Sequence, residues 1–242
     1  MQVNRLFTLS LKTSPDYQKN LEEFLDTLDS IEENSLIVAP EVCLSGFDYK
    51  NLDQVLGYSE EFTSCIKKHS QNKIVILTML EKIDGQILNM AKVFANGELV
   101  HQRAKARLFK LGDEHKYMQE GSDKDFEIIE VAGVKIALLI CFELRFKEFW
   151  QKCEGADIVA IPAWWGKSRA EHFRALTQTL AIINQCYVCA SDSADDACSA
   201  LSGIITPQGY ETRNGNMACL SQEYKQKDIA VMRRYLDVGI DG

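Results

Sequence analysis

The sequence predicts an α/β protein folded as one domain over residues 1–242. Two observations carry that expectation. Short uninterrupted apolar runs recur along the chain, among them "SLIVAPE", "KIVILTML", "KIALLIC" and "DIVAIPA". Runs of this kind suit strands buried on both faces. Between them lie segments with helical spacing, such as Leu21, Phe24, Leu25, Leu28 and Ile31. Strands interleaved with helices pack as layers around one core. An apolar content of 46% is enough for a sizeable core, and with 26% charged residues it places the chain in the folded, globular class.

Taken in order, Val3 to Leu11 reads as a first strand. A helix follows, with Ser14 as N-cap and Pro15 at its first position. "SLIVAPE" is a buried strand, and a second helix fills much of Asn51 to Ser70. "KIVILTML" is again a buried strand. After Asp84-Gly85, two extended runs flank Asn96-Gly97, a strong hairpin signal. Ala104 to Lys124 reads as a long polar loop. "FEIIEVAGVKIALLI" is strand, turn, strand; Phe146 to Lys152 starts a helix; "DIVAIPAWW" is a strand running into a loop. "AEHFRALTQTLAIINQ" is a helix and "CYVCASD" a strand. From Ala200 to Arg234 the pattern suggests strands joined at Pro207-Gln208-Gly209 and Asn214-Gly215.

The formal charge is −8 and there is no long Lys/Arg run, which argues against nucleic acid or anionic membranes as partners. No stretch of 18 apolar residues occurs, and "MQVNRLFTLSLKT" lacks the pattern of a signal peptide. Eight cysteines without a secretion signal read as free thiols in a reducing cytoplasm.

Three strand candidates end in a reactive side chain: "LIVAPE" at Glu41, "HQRAK" at Lys105 and "KIALLIC" at Cys141. Strand ends line the crevice where ligands bind in open α/β sheets. A carboxylate, an ammonium and a thiol gathered there would form a base, an oxyanion stabiliser and a nucleophile. Each has a plainer reading. Glu41 follows Pro40 and suits the start of a solvated loop. Lys105 sits between Arg103 and Arg107, as on a solvated basic face. Cys141 is one small apolar residue among eight cysteines. Its place between a buried strand and a helix start favours reactivity, because the positive end of the helix dipole lowers a thiol pKa. The order strand, nucleophile, helix is that of a nucleophile elbow, although Gly-x-Ser-x-Gly is absent.

The motifs "LIVAPE", "KARLF", "LLICFELRF" and "IPAWW", in this order and spacing, resemble the nitrilase, or carbon–nitrogen hydrolase, superfamily. "NMAKVFANGELVHQRAKARLF" is similar to the family's lysine-bearing hairpin. "LAIINQCYV" and "SGIITPQG" extend the likeness to about residues 3–235. The resemblance implies a four-layer α-β-β-α sandwich and a Glu-Lys-Cys triad carried by Glu41, Lys105 and Cys141. It adds a second glutamate, Glu114 in "LGDEHKY". It also implies no metal or organic cofactor, and association of helical faces into a homodimer or larger homo-oligomer. The short "LFKLGDEHKYMQEG" loop looks most like the omega-amidase branch, which hydrolyses the terminal amide of dicarboxylic monoamides such as 2-oxoglutaramate. Within the superfamily an N-carbamoyl amine hydrolase, an aliphatic amidase or a nitrilase are alternatives. Three departures bear on substrate and assembly: Arg107 where many relatives have His, Ile183 where many have Glu, and Ala200 where Gly is common.

For such an amidase, Glu41 takes the Cys141 proton, while Lys105 and the backbone N–H of Phe142 hold the oxyanion. Glu114 helps orient substrate or water. A distal carboxylate needs a cation, and Arg145, Lys167 and Arg169 are the nearby candidates, each with a structural salt bridge as the alternative. Tyr117, Trp164 and Trp165 are expected to wall the pocket, unless the tryptophan pair belongs to core or interface. The Cys186–Cys189 pair has C-x-x-C spacing but enters a strand and has no second ligand pair, so two core thiols are expected. Cys43 likewise suits the core. "DEHKY" lacks the second His of a zincin. Readings of a different class are an inactive scaffold or a redox or metal-binding protein; an intact triad argues against the first.

Overall fold

A computed structural model describes residues 1–213 and 217–240. Its strands are β1 (Arg5–Leu9), β2 (Ser35–Val38), β3 (Lys73–Ile83), β4 (Gln86–Ala95), β5 (Glu98–Ala104), β6 (Ile129–Val131), β7 (Val134–Leu138), β8 (Ile158–Ala163), β9 (Tyr187–Asp192), β10 (Gly203–Ile205), β11 (Glu211–Arg213) and β12 (Cys219–Glu223). Its helices are α1 (Tyr17–Ser30), α2 (Leu52–Gly57), α3 (Ser59–His69), α4 (Lys147–Lys152), α5 (Ala170–Asn184) and α6 (Gln226–Tyr235).

The strands form two sheets of matching plan, ordered β12-β1-β2-β3-β4-β5 and β11-β10-β9-β8-β7-β6. Each has a parallel centre, β1-β2-β3 in one and β7-β8-β9 in the other, with antiparallel strands outside. The continuous apolar runs follow from burial on both faces. Leu6, Leu36, Val38, Ile74 and Ile76 pack inward against Ile136, Ile158 and Val188 of the second sheet. The residues between them, Phe7, Ile37, Val75 and Leu77, face outward under Leu21, Phe24 and Leu28 of α1 and Phe62 and Ile66 of α3. On the far side, α5 covers β9 and β10 through Phe173, Leu180 and Ala181. The result is the expected α-β-β-α sandwich.

Strand direction places the site. In the first sheet β2 and β3 run parallel, and β5 returns to that direction after two antiparallel steps. The C-terminal ends of β2 and β5 therefore share one rim. The backbone N–H of Glu41 bonds the carbonyl of Ala163 at 3.2 Å, so the ends of β2 and β8 also meet. Asn96-Gly97 makes the expected tight turn, with both residues in the left-handed region. A register shift beside Val93 and Phe94 leaves Val100 without an opposite residue, so Ala104 faces Met90. A bulge of this kind redirects every side chain beyond it, including that of Lys105.

Several elements differ from expectation. Asp16, not Ser14, caps α1 by accepting from the Lys19 N–H, while Ser14 bonds Asn20. The span Asn51 to Ser70 is two helices that break at Gly57-Tyr58. The end of the chain includes a helix, α6, where strand was expected. There Ile229 and Arg233 share one buried face at a spacing of four, and Arg233 donates to the Ala156 carbonyl at 2.7 Å. The Pro207-Gln208-Gly209 turn is present, closed by Gly209 N–H to the Thr206 carbonyl at 2.8 Å. The Asn214-Gly215 turn lies outside the described residues.

Ala200 adopts φ +52°, a conformation that costs an L-residue roughly 1–2 kcal/mol and glycine almost nothing. Glycine gives back roughly 0.5–1 kcal/mol through its freer unfolded chain. Ala200→Gly should therefore stabilise the fold by up to about 1 kcal/mol, read as a higher urea midpoint with unchanged slope.

Candidate active site

Glu41, Lys105, Glu114 and Cys141 converge at this rim, and all four are buried. The Lys105 ammonium donates to Glu41 Oε1 at 2.7 Å and to Glu114 Oε1 at 2.8 Å. A lysine has three donors; the third meets no protein acceptor among the described residues. Burial alone would depress its pKa, but the two carboxylates outweigh that and raise it, so the group stays charged. The plainer reading of Lys105 as part of a solvated basic face is overturned, because it is fully buried. Glu41 is no solvated loop residue either.

Each carboxylate is fixed from a second side. Glu41 Oε1 also accepts from the Asn89 amide at 2.8 Å, and the Asn89 carbonyl accepts from Lys105 N–H at 2.8 Å. Glu114 Oε2 accepts from the Phe109 N–H at 2.9 Å. Glu41 Oε2 is buried with no nitrogen or oxygen donor, while the Cys141 thiol lies close enough to interact with the same carboxylate. Burial, with the negative Glu114 beside it, pushes the Glu41 pKa up in spite of Lys105. A carboxylate in that state takes a proton readily.

Both chain reversals at the site are strained. Cys141 has φ +44° and Val42, next to Glu41, has the same value, which is an outlier for a β-branched residue. Thr78 Oγ1 secures the latter by accepting from Val42 N–H at 2.8 Å. Such strain persists where the surroundings over-determine it. Beyond Cys141 the chain forms a five-residue 3₁₀ turn, Cys141–Arg145, before α4. The helix dipole expected to lower the thiol pKa is therefore only a short turn. The structure corrects the expectation in sign: burial and the Glu41 charge push the Cys141 thiol well above its ordinary value, while Lys105 and the Trp164 N–H pull it down. The Phe142 N–H lies in the first turn, where amides lack intrahelical partners.

A narrow cleft opens on Cys141, lined by Phe109, Phe142, Arg145, Trp164, Trp165 and Arg169. Arg145 lies over the Trp165 ring at 4.8 Å and Arg169 over the Phe109 ring at 5.1 Å. Neither makes an ion pair among the described residues. Arg145 donates to His172 Nδ1 at 3.1 Å, and burial and the neighbouring Arg169 charge lower its pKa. The alternative of a structural salt bridge for Arg145 is not met among the described residues, and the neighbouring Glu143 pairs with Arg103. Lys167 points to solvent and does not line the cleft. Tyr117 stacks on Tyr49 at 4.1 Å, on the Glu114 side rather than in the cleft. Trp164 is half-buried against Phe47, whereas Trp165 is almost wholly core. Cys43, Cys186 and Cys189 are buried thiols whose pKa values burial raises. Asn89, Tyr49 and Phe109 were not singled out from sequence; Asn89 sits mid-strand, and only its pairing opposite the Lys105 strand reveals it.

Asp192 supports the tryptophan loop. Its Oδ1 accepts from the Trp165 N–H at 2.7 Å, and its other oxygen from Ser199. Burial lifts its pKa from 3.8 to about 7. Between those values the folded chain keeps a proton that the unfolded chain has released, so this residue costs stability as pH rises from about 4 to about 7. Asp192→Asn keeps an acceptor for Trp165. It should flatten the fall in Tm across that window; an unchanged pH slope would contradict this.

A family model described as carbon–nitrogen hydrolase matches residues 8–216. The 2-oxoglutaramate amidase of Bacillus subtilis is 30% identical over 220 residues, covering 86% of this chain and 83% of the relative. Omega-amidase YafV of Escherichia coli is 26% identical over 226 residues, covering 91% and 88%. Among solved structures, a CN-hydrolase superfamily protein of Xanthomonas campestris superposes with a TM-score of 0.85 at 21% identity, covering 100% of this chain and 98% of that one. Nit3 of Saccharomyces cerevisiae, a nitrilase superfamily member, gives 0.83 at 20% identity, covering 97% and 94%. These structural likenesses bear on the fold alone.

Proposed function

The chain belongs to the carbon–nitrogen hydrolase family, and from that premise we propose that it is a thiol amidase of omega-amidase type. It cleaves the terminal carboxamide of a small dicarboxylic monoamide, such as 2-oxoglutaramate, to acid and ammonia. The observation that carries this reading is Cys141 at the mouth of a cleft, backed by the buried Glu41–Lys105 pair, with Arg145 and Arg169 in the wall making no ion pair among the described residues. The two relatives named for omega-amide hydrolysis support it.

In the first half-reaction Glu41 takes the Cys141 proton as sulfur attacks the amide carbon. The carbonyl π electrons move to oxygen. Lys105, through its third N–H, and the Phe142 N–H stabilise that oxyanion. Glu41 returns the proton to nitrogen as the C–N bond breaks, releasing ammonia and leaving a thioester on Cys141. In the second half-reaction Glu41 takes a proton from water, hydroxide adds to the thioester, and the thiolate leaves and is reprotonated. Glu114 keeps Lys105 charged and aimed throughout. The far carboxylate lies between Arg145 and Arg169, where it relieves the repulsion of two adjacent cations.

The protein is further proposed to work in the cytoplasm as a homodimer of one-domain chains. All eight cysteines are free, which suits a reducing compartment. No helix among the described residues is long and apolar enough to cross a membrane. The outer face of α5 presents Ile182 and Ile183 to solvent, at 47% and 51% exposure, as an apolar face for a second copy. Light scattering should give twice the monomer mass; a monomer at all concentrations contradicts the pairing.

Ammonia release from a panel of amides, nitriles and carbamoyl compounds tests the activity. Cys141→Ala should abolish turnover. Arg145→Ala should raise KM for 2-oxoglutaramate by about tenfold, the loss of roughly one charge-assisted contact, and leave an uncharged amide of similar length unaffected. Nitrile turnover without omega-amide turnover would overturn the proposal.

A further inference from the structure

The buried pair Arg103–Glu143 takes no part in the chemistry above, yet it touches both strand ends that supply it. Arg103 is 3% exposed and Glu143 is fully buried. Arg103 Nη1 donates to Glu143 Oε1 at 3.0 Å, and Nη2 bonds Oε2. The same guanidinium donates to the Leu138 carbonyl at 2.7 Å and the Ala104 carbonyl at 3.1 Å. Glu143 accepts from the Ala106 N–H at 2.7 Å and the Ile140 N–H at 2.8 Å. Ala104 and Ala106 are the two neighbours of Lys105, and Ile140 precedes Cys141. The bonds therefore join the end of β5, in one sheet, to the end of β7, in the other.

From this placement we infer that Arg103 and Glu143 are positioning residues that set the separation and orientation of the Lys105 ammonium and the Cys141 thiol. The inference rests on the amidase reading of Cys141. A buried ion pair is a poor device for stability alone, because apolar side chains of similar volume usually serve as well. This pair differs from a generic core contact in direction. Glu143 holds the amide on each side of the catalytic gap, Ala106 next to the lysine and Ile140 next to the thiol. It also secures the turn in which Cys141 holds φ +44°. The planar fork of Arg103 locks the carboxylate in one plane and reaches past it to Leu138. Shortening or tilting either partner shifts Lys105 relative to Cys141 without touching substrate. Substrate binding should therefore be spared while the chemical step suffers.

The test compares Glu143→Gln, Arg103→Met and Arg103→Lys, with kcat on 2-oxoglutaramate expressed per Cys141 titrated by iodoacetamide. Arg103→Met and Glu143→Gln should lower kcat roughly 10- to 100-fold, the scale of an ångström misplacement, with KM within about threefold. The pH profile of Cys141 alkylation, followed by mass spectrometry, should shift. Arg103→Lys keeps the charge but loses the fork; it should lose about three- to tenfold in kcat with a Tm near that of the unsubstituted chain. If the other two variants do not fold, Arg103→Lys decides. An unchanged kcat and alkylation profile in Arg103→Lys, or losses that vanish per titrated thiol, overturn the inference. Full ammonia release by Cys141→Ala would instead overturn the amidase reading beneath it.

Discussion

A lysine ammonium with no solvent exposure, held between two buried carboxylates, sets the conditions for everything around it. Moving such charges out of water costs several kcal/mol each, and only close geometry with further hydrogen bonds offsets it. The structure supplies both. Asn89 completes Glu41, the Phe109 amide completes Glu114, and the sheet register at β4 and β5 brings Asn89 beside Lys105. Remove the ammonium and two uncompensated carboxylates are left in the core. The Glu41–Lys105–Glu114 cluster is thus a constraint on folding as well as part of the proposed chemistry.

The sandwich explains why such a cluster can exist. Two parallel-centred sheets stack with the ends of β2 and β8 in contact, and β5 delivers Lys105 to the same rim. No single sheet contributes more than part of the site. Glu41 and Lys105 come from one sheet, Cys141 and the tryptophan loop from the other. Packing of the apolar faces therefore fixes the separation of these side chains, and polar cross-ties refine it. The chain is acidic overall, yet the cleft wall carries two guanidiniums that make no ion pair among the described residues. Net charge speaks of solubility and nonspecific partners; the local field decides which small molecule enters.

Much of this was legible in the sequence because the signals are local. Apolar runs, Asn-Gly turns and reactive side chains at strand ends each declare themselves within a few residues. What was not legible is relational. Glu143 stands two positions from Arg145, but its partner is Arg103, forty positions back and in the other sheet. Asn89 looks like any polar residue in a strand until its pairing is known. The segment that forms helix α6 has only Ile229 and Arg233 buried, and a buried arginine hides the spacing of four from an apolar pattern. That arginine donates to the carbonyl of Ala156, distant in sequence.

The thiol is where local reasoning pointed the wrong way, and the correction sharpens the chemistry. A cysteine ahead of a helix suggests a preformed thiolate. Here the helical element is one short turn, and burial with the nearby Glu41 charge favours the neutral thiol. Glu41 is itself raised by burial and by Glu114. Acid and base are therefore shifted in the same direction, which keeps proton transfer between them feasible although neither matches its value in water. A permanent thiolate beside two carboxylates would place three negative charges around one ammonium. Holding the proton until substrate arrives avoids that state. In the proposed reaction, attack on the carbonyl then moves negative charge from sulfur to an oxygen that Lys105 would stabilise. In the proposed mechanism the cation already buried for the resting carboxylates serves the transition state as well, with no new charge brought into the core.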